Sequence, residues 1–263
     1  NGISDPTPRP VEINDPRVNT GLEWAIDRVL DHPLVAIPGT EFHYSSFGYN
    51  LAGVVLEHAL GAEYDRLAQA NVSDRLGMSS FSSDRRWADI PDRAVGYHLL
   101  PDGVGLSGND DVSWKLPAGG FISTVVDLGR YCGGLMNDVL LDEDERQHEL
   151  WGPQPASPSY GLGLGFGGDG ETLWVRHGGL QQKSTTQLRL YPSEGLCVVV
   201  MSNTEYGDPD RLGHAIETAW RYRSQREACH GPLRIDSQAS SVVLGINPAI
   251  LEETIIELLE QGR

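Results

Sequence analysis

Residues 185–203 read TTQLRLYPSEGLCVVVMSN, and this stretch decides the fold class. Thr185–Tyr191 alternates polar and apolar side chains, as a half-buried strand does, and Leu196–Asn203 runs nearly continuously apolar, as a buried strand does. Between them Pro192-Ser193-Glu194-Gly195 has the composition of a short hairpin connection. The spacing predicts two antiparallel strands. Upstream, Tyr160–Phe166 and Thr172–His177 carry the same strand signals between Gly-rich turns. Downstream, a helix predicted over Pro209–Tyr222 is expected to cover one face of the sheet.

Nearer the N-terminus the apolar period becomes helical. Asn19–Leu30 places Leu22, Ala25, Ile26, Val29 and Leu30 on one face. Pro38-Gly39 predicts a turn. Ser45 or Ser46 then caps a helix over Phe47–Leu60, with Leu51, Val54, Val55 and Ala59 as its apolar face and Gly61 as its stop. Further helices are predicted over Tyr64–Leu76 and, after Gly119-Gly120, over Thr124–Met136, where Asp127 offsets the positive helix end. Ser79–Asn109 reads mostly as loop, with turns at Pro101-Asp102-Gly103 and Ser107-Gly108-Asn109. A tail follows the Cys-His-Gly-Pro break at residues 229–232, with a short β-like stretch at Ser241–Leu244 and an amphipathic helix over Pro248–Glu260. Strands flanked by helices at both ends give an α+β class with a helical lobe inserted.

Composition narrows the partners. At 263 residues, 39% hydrophobic and 22% charged, the chain has the make-up of a globular protein with a substantial core. A formal charge of -17 opposes binding to nucleic acid or an anionic membrane surface, which both need basic patches. The apolar runs are strand-sized, too short to span a bilayer. Only Lys115 and Lys183 are lysines, so arginine supplies almost all the positive charge; a high-salt interior and an arginine-rich, GC-biased genome both fit. Cys132, Cys197 and Cys229 are widely spaced without a CxxC, and Cys132 and Cys197 read as buried free thiols. There is no His-Glu-x-x-His and the eight histidines are scattered, so no metal or cofactor is expected.

Six landmarks in fixed order carry a resemblance. Pro38-Gly39 through Tyr44-Ser45-Ser46 to Gly48-Tyr49-Asn50-Leu51-Ala52-Gly53 is the first. Leu76-Gly77-Met78, Ala118-Gly119-Gly120-Phe121-Ile122-Ser123-Thr124 with Asp127-Leu128, Tyr160-Gly161-Leu162-Gly163, His177-Gly178-Gly179, and Tyr191-Pro192 with Val198–Asn203 follow. In this order they resemble the β-lactamase-related serine hydrolases, which include class C β-lactamases, esterases, D-aminopeptidases and penicillin-binding proteins. The resemblance covers residues 1–223 and implies a β-lactamase/transpeptidase-like antiparallel sheet flanked by helices. Residues 224–263 lie outside it as a C-terminal extension.

The implied chemistry is acyl transfer to a serine. That reaction needs a base for the hydroxyl proton, donors for the oxyanion and a route returning the proton to the leaving group. Carried over by position, Tyr44 is the relay tyrosine and Ser46 stands where the family usually has Asn. His177 is the third-motif side chain, Leu180 offers the oxyanion N–H, and Gly178 and Gly179 let substrate approach the strand. The nucleophile itself is not found: no Ser is followed three positions later by Lys, and there is no Gly-x-Ser-x-Gly elbow. Asn1-Gly2-Ile3 resembles the segment that follows Ser-x-x-Lys in the family, so the serine and its lysine are expected upstream and the sequence reads as N-terminally truncated.

His177 in place of Lys and Ser46 in place of Asn both turn the expectation away from a β-lactamase. Hydrolysis of a small-molecule ester, amide or peptide substrate is expected, with carboxylesterase leading. Two alternatives stand beside it. One is a complete, non-catalytic protein binding a ligand or peptide on the same scaffold. The other is a structural module assembling through its tail helix.

Overall fold

A computed structural model describes residues 21–27, 29–108, 111–154, 156–181, 184–204 and 206–230, the last eight by backbone alone. Helix α1 spans Leu22–Asp27 and buries Leu22, Ala25 and Ile26; Val29 is buried in the turn that follows, whereas Leu30 is exposed. Pro38-Gly39 sits in a turn closed by a hydrogen bond from Thr40 N–H to Ile37 C=O, with Gly39 at φ 85° as a type II turn requires. Helix α2 spans Ser46–Leu60. Ser45 is its cap, the side-chain oxygen accepting from Gly48 N–H at 3.0 Å, and Gly61 ends it in the left-handed conformation.

Helix α2 buries a different face from the predicted one. Phe47, Asn50 and Gly53 point inward, while Val55 is 59% exposed. Gly53 explains the shift: a Cβ there would lie 2.2 Å from Pro117 Cγ, so the helix turns its smallest side to the neighbouring element. Helix α3 covers residues 64–76, with a π-helical turn at Gln69–Ser73 between α-helical Tyr64–Ala68 and Asp74–Leu76. Strand β1 (Ser82–Ser83) pairs with β4 (Phe121–Ile122). The stretch read as loop contains a hairpin, β2 (Tyr97–Leu100) and β3 (Gly103–Leu106), joined at Pro101-Asp102. It gave no strand signal because Leu99, Leu100, Val104 and Leu106 all stay exposed, so polarity does not alternate with burial.

A 3-10 turn at Ser113–Lys115 leads into α4 (Leu116–Gly119), and α5 follows over Val125–Met136 with Thr124 as its cap. Asp127 is almost fully buried. Besides lying at the helix start, it accepts from Ser80 N–H at 2.6 Å and pairs with Arg130, tying α5 to the loop after α3. A helical segment over residues 143–150, not anticipated, forms α6.

The predicted sheet is present. Strands β5 (Gly165–Gly167), β6 (Trp174–Gln181), β7 (Ser184–Tyr191) and β8 (Leu196–Ser202) are antiparallel in the order β5-β6-β7-β8. Their alternation divides the core. Val175, Leu188, Leu190 and Cys197 pack with Cys132 and Leu135 of α5, and Tyr191, Leu196, Val198 and Val200 face Leu212, Ile216 and Trp220 of α7 (Pro209–His230). Helix α7 covers one face as expected and runs past Tyr222 to His230. No described helix is long and apolar enough to cross a membrane. The predicted stretches at Ser241–Leu244 and Pro248–Glu260 fall outside the described residues.

The reading of two free thiols is corrected: Cys132 and Cys197 are joined as a disulfide. Sequence spacing carried no hint, because the two meet only when α5 lies across β8, where their Cα atoms come to 6.2 Å. The link closes 65 residues of chain, which stabilises the fold chiefly by restricting the unfolded ensemble. Cys132→Ala is expected to lower unfolding free energy by roughly 2–4 kcal/mol, measured by urea denaturation. A midpoint unchanged from wild type would show that the bond contributes nothing.

Candidate active site

Tyr44 and His177, about 130 positions apart in sequence, line one cleft of about 430 Å³. Each is placed by a local rule. Tyr44 directly precedes the Ser45 cap, so the geometry that starts α2 fixes where its side chain leaves the backbone. Its ring is 54% exposed. His177 lies on β6, paired with Leu188 of β7. Burial pushes its imidazole below the ordinary histidine range, opposed by a hydrogen bond involving the Gly178 backbone. At pH 7 it is therefore neutral, with one ring nitrogen to donate and one to accept.

Between them stands Tyr160, which the sequence reading quoted as a landmark without assigning it to the site. Its ring meets Tyr44 at 6.2 Å and His177 at 6.5 Å, both edge-on, and Phe42 at 5.1 Å. The following glycines put it there. A Cβ on Gly161 would lie 2.1 Å from Leu150 C=O, and Gly163 has φ 97°, so only this Gly-rich turn brings the chain so near α6. That was the available signal: a tyrosine immediately before a turn that no other residue type could make.

The phenols here form a cluster. Burial, first of all, and the nearby tyrosines hold Tyr160 and Tyr49 above the ordinary tyrosine range. Both remain protonated at neutral pH. The Tyr160 hydroxyl is buried with no hydrogen-bond partner in the structure. A desolvated hydroxyl without a partner costs about 1–3 kcal/mol, so it weakens the fold it sits in. Tyr160→Phe is accordingly expected to leave the melting temperature unchanged or raise it. A fall of several degrees would mean the hydroxyl is bonded after all.

The other predicted residues lie nearby but not all in the cleft. Gly178 lines it; Gly179 and Leu180 continue along β6 beyond it, and Leu180 is 73% exposed. Strand β5 pairs only with Trp174–Arg176, so the rest of the outer edge of β6 has no partner strand among the described residues. Such an edge presents backbone groups to an incoming ligand. The glycine pair has a second cause in packing. A Cβ on Gly179 would lie 2.5 Å from Thr186 Oγ1, and one on Gly178 would lie 2.8 Å from Gln187 Oε1. Ser46 is the first residue of α2, directly after the Ser45 cap, and is not among the residues lining the cleft. No cluster of possible metal ligands occurs among the described residues.

The description of the matching family model is Beta-lactamase, and the match runs over residues 3–219. The chain belongs to the Beta-lactamase family. Within it, the chain is similar to a human protein described as putative beta-lactamase-like 1, with 29% identity over 136 residues, 45% of this chain and 24% of the relative. It is also similar to the human mitochondrial serine beta-lactamase-like protein LACTB, 32% identical over 105 residues, 40% of this chain and 19% of that protein. The matches thus span about a quarter or less of these curated relatives.

Among solved structures, a penicillin-binding protein from Bacillus halodurans superposes with TM-score 0.64 at 25% identity, covering 76% of this chain and 63% of that one. The D-amino acid amidase from Ochrobactrum anthropi SV3 gives TM-score 0.66 at 22% identity, covering 80% and 66%. At that identity the amidase shows the fold alone. The Beta-lactamase family fold is therefore the α+β, transpeptidase-like arrangement expected from the ordered motifs.

Proposed function

We propose that this chain is the downstream part of a serine hydrolase that cleaves small esters or amides through an acyl-enzyme, with a carboxylester the leading substrate. The observation that carries the reading is the meeting of Tyr44 and His177 on one cleft beside an open strand edge. Tyr44 moves the proton of a serine supplied by the upstream chain, and His177, neutral, donates a hydrogen bond to substrate. The backbone at Leu180 contributes to the oxyanion site. The family match and the penicillin-binding protein likeness support the same reaction class.

The test uses a polypeptide extended upstream through a Ser-x-x-Lys. Treatment with a fluorophosphonate probe should label that serine once per chain, and peptide mapping should locate it. A protein that extends upstream, binds ligand at the cleft and is never labelled would instead be the non-catalytic binding protein.

A further inference from the structure

Gly178 follows His177 on β6 and is paired with Gln187 of β7. Paired residues share a face of the sheet, so Gln187 rises beside the place where a side chain at position 178 would stand. A Cβ built on Gly178 would lie 2.8 Å from Gln187 Oε1. The carboxamide therefore takes the place of the missing side chain, and it lines the same cleft as Tyr44 and His177. His177 and Gln187 leave the sheet on opposite faces. One cleft reaches both because the outer edge of β6 has no partner strand beyond Arg176 among the described residues, and Gly178 puts no side chain in the way.

Gln187 is 7% exposed, yet little holds its carboxamide. Its hydrogen bond among the described residues runs from Nε2 to the Leu188 carbonyl at 3.4 Å, which is long for such a bond. That bond gives Oε1 no donor. The hydroxyls of Tyr44, Ser159 and Tyr160, the His177 imidazole and the Arg176 guanidinium all carry a proton to give, so Gln187 Oε1 is the side-chain atom of the cleft that can only accept. A largely buried acceptor is unfavourable until a partner donates to it.

We propose that Gln187 is a specificity-determining residue of the cleft, accepting a hydrogen bond through Oε1 from an uncharged hydroxyl on the acyl part of the substrate. The inference rests on the hydrolase reading and adds a substrate class: esters or amides of hydroxy acids. A carboxylate has no proton to give Oε1, and an ammonium would stand beside the Arg176 guanidinium, which lines the same cleft. A hydroxyl donates to Oε1 and can also accept from Nε2; an amide N–H does only the first. The reach suits a hydroxyl close to the ester. Gly178 is two residues, about 7 Å of extended chain, from the Leu180 backbone that contributes to the oxyanion site.

The experiment compares three p-nitrophenyl esters in the upstream-extended protein. These are β-hydroxybutyrate, isovalerate, which has a methyl in place of the hydroxyl, and β-methoxybutyrate, which accepts hydrogen bonds but gives none. Wild type should favour the hydroxy ester over both others by about three- to tenfold in KM, the size of one neutral hydrogen bond. Gln187→Met keeps the length of the side chain without its carboxamide. It should raise KM for the hydroxy ester by the same factor and change the other two less than twofold. Gln187→Asn keeps an amide but draws it back from Gly178, so it should lose the preference as well, and it decides the matter if melting curves show that the Met variant does not fold.

Equal use of the hydroxy ester and either of the others by wild type overturns the inference and leaves the hydrolase reading standing. So does a preference that survives in a folded Gln187 variant. If none of the esters turns over, the hydrolase reading fails, and saturation-transfer NMR with methyl β-hydroxybutyrate and methyl isovalerate decides the inference. Transfer to the hydroxy ester alone, lost in the Gln187 variants, supports it; transfer to both or to neither, or transfer undiminished in the variants, overturns it.

Discussion

Replacing Tyr44 by Phe in the upstream-extended protein is expected to lower ester turnover by about 10²–10⁴-fold, the usual contribution of a positioned proton-transfer group. The loss should fall on kcat and leave KM nearly unchanged, because a hydroxyl that moves a proton acts in the transition state and does not hold the ground state. The substitution is structurally mild. Tyr44 is 54% exposed and its ring contact with Tyr160 is edge-on, so Phe retains the packing and leaves no cavity. Tyr160→Phe is the control in the same cluster, since it too removes one phenolic oxygen. Steady-state kinetics with a p-nitrophenyl ester, alongside melting curves, make the measurement. Near-normal turnover in Tyr44→Phe would remove the relay role and leave the cleft a binding site.

The legibility of this protein follows from which interactions are local. The last two strands of the main sheet could be read because their turn is punctuated within four residues: Pro192–Glu194 forms a 3-10 turn and Gly195 follows at φ 59°; the strand predicted to end at His177 instead runs on through Gly178 and Gly179 to Gln181. Helix ends were legible for the same reason, with Gly61 and Gly77 both left-handed. Sequence left Ser45 and Ser46 as equal candidates for the cap; the difference is one of backbone geometry, since Ser45 has extended φ and ψ and Ser46 is already helical. What could not be read depended on distant chain. The Cys132–Cys197 bond, the packing of Gly53 on Pro117 and the insertion of Tyr160 between Tyr44 and His177 each join elements that meet only in three dimensions. Half of the candidate site was therefore visible as motifs. The residue that joins its two halves was visible only as a tyrosine before a glycine.

The same distinction sets the largest expected effect on stability, at Glu217. It stands four residues before Arg221, a spacing that also suits a surface ion pair, yet it is 3% exposed and lies where α7 crosses β7. Its carboxylate accepts from the Tyr191 hydroxyl and pairs with Arg221, with Arg189 and His214 each 3.6 Å away. Glu217→Ala removes the shared acceptor and leaves Tyr191 and Arg189 facing each other in a desolvated setting. Loss of one member of a buried ionic group costs about 3–5 kcal/mol, and the lower end applies here. Arg221 is 38% exposed and keeps Glu194 at 2.7 Å, and Arg189 keeps Asp210 at 2.7 Å, so neither cation is stranded. Urea denaturation should show the loss, with little relief from added salt because the carboxylate is screened by protein rather than by water. A cycle with Tyr191→Phe separates the causes. If the hydroxyl–carboxylate bond matters, the double variant should be less destabilised than the two single losses added together. Strict additivity would mean that Glu217 acts through the arginines alone, and a loss below about 1 kcal/mol would place it with surface ion pairs, whose contribution is of that size.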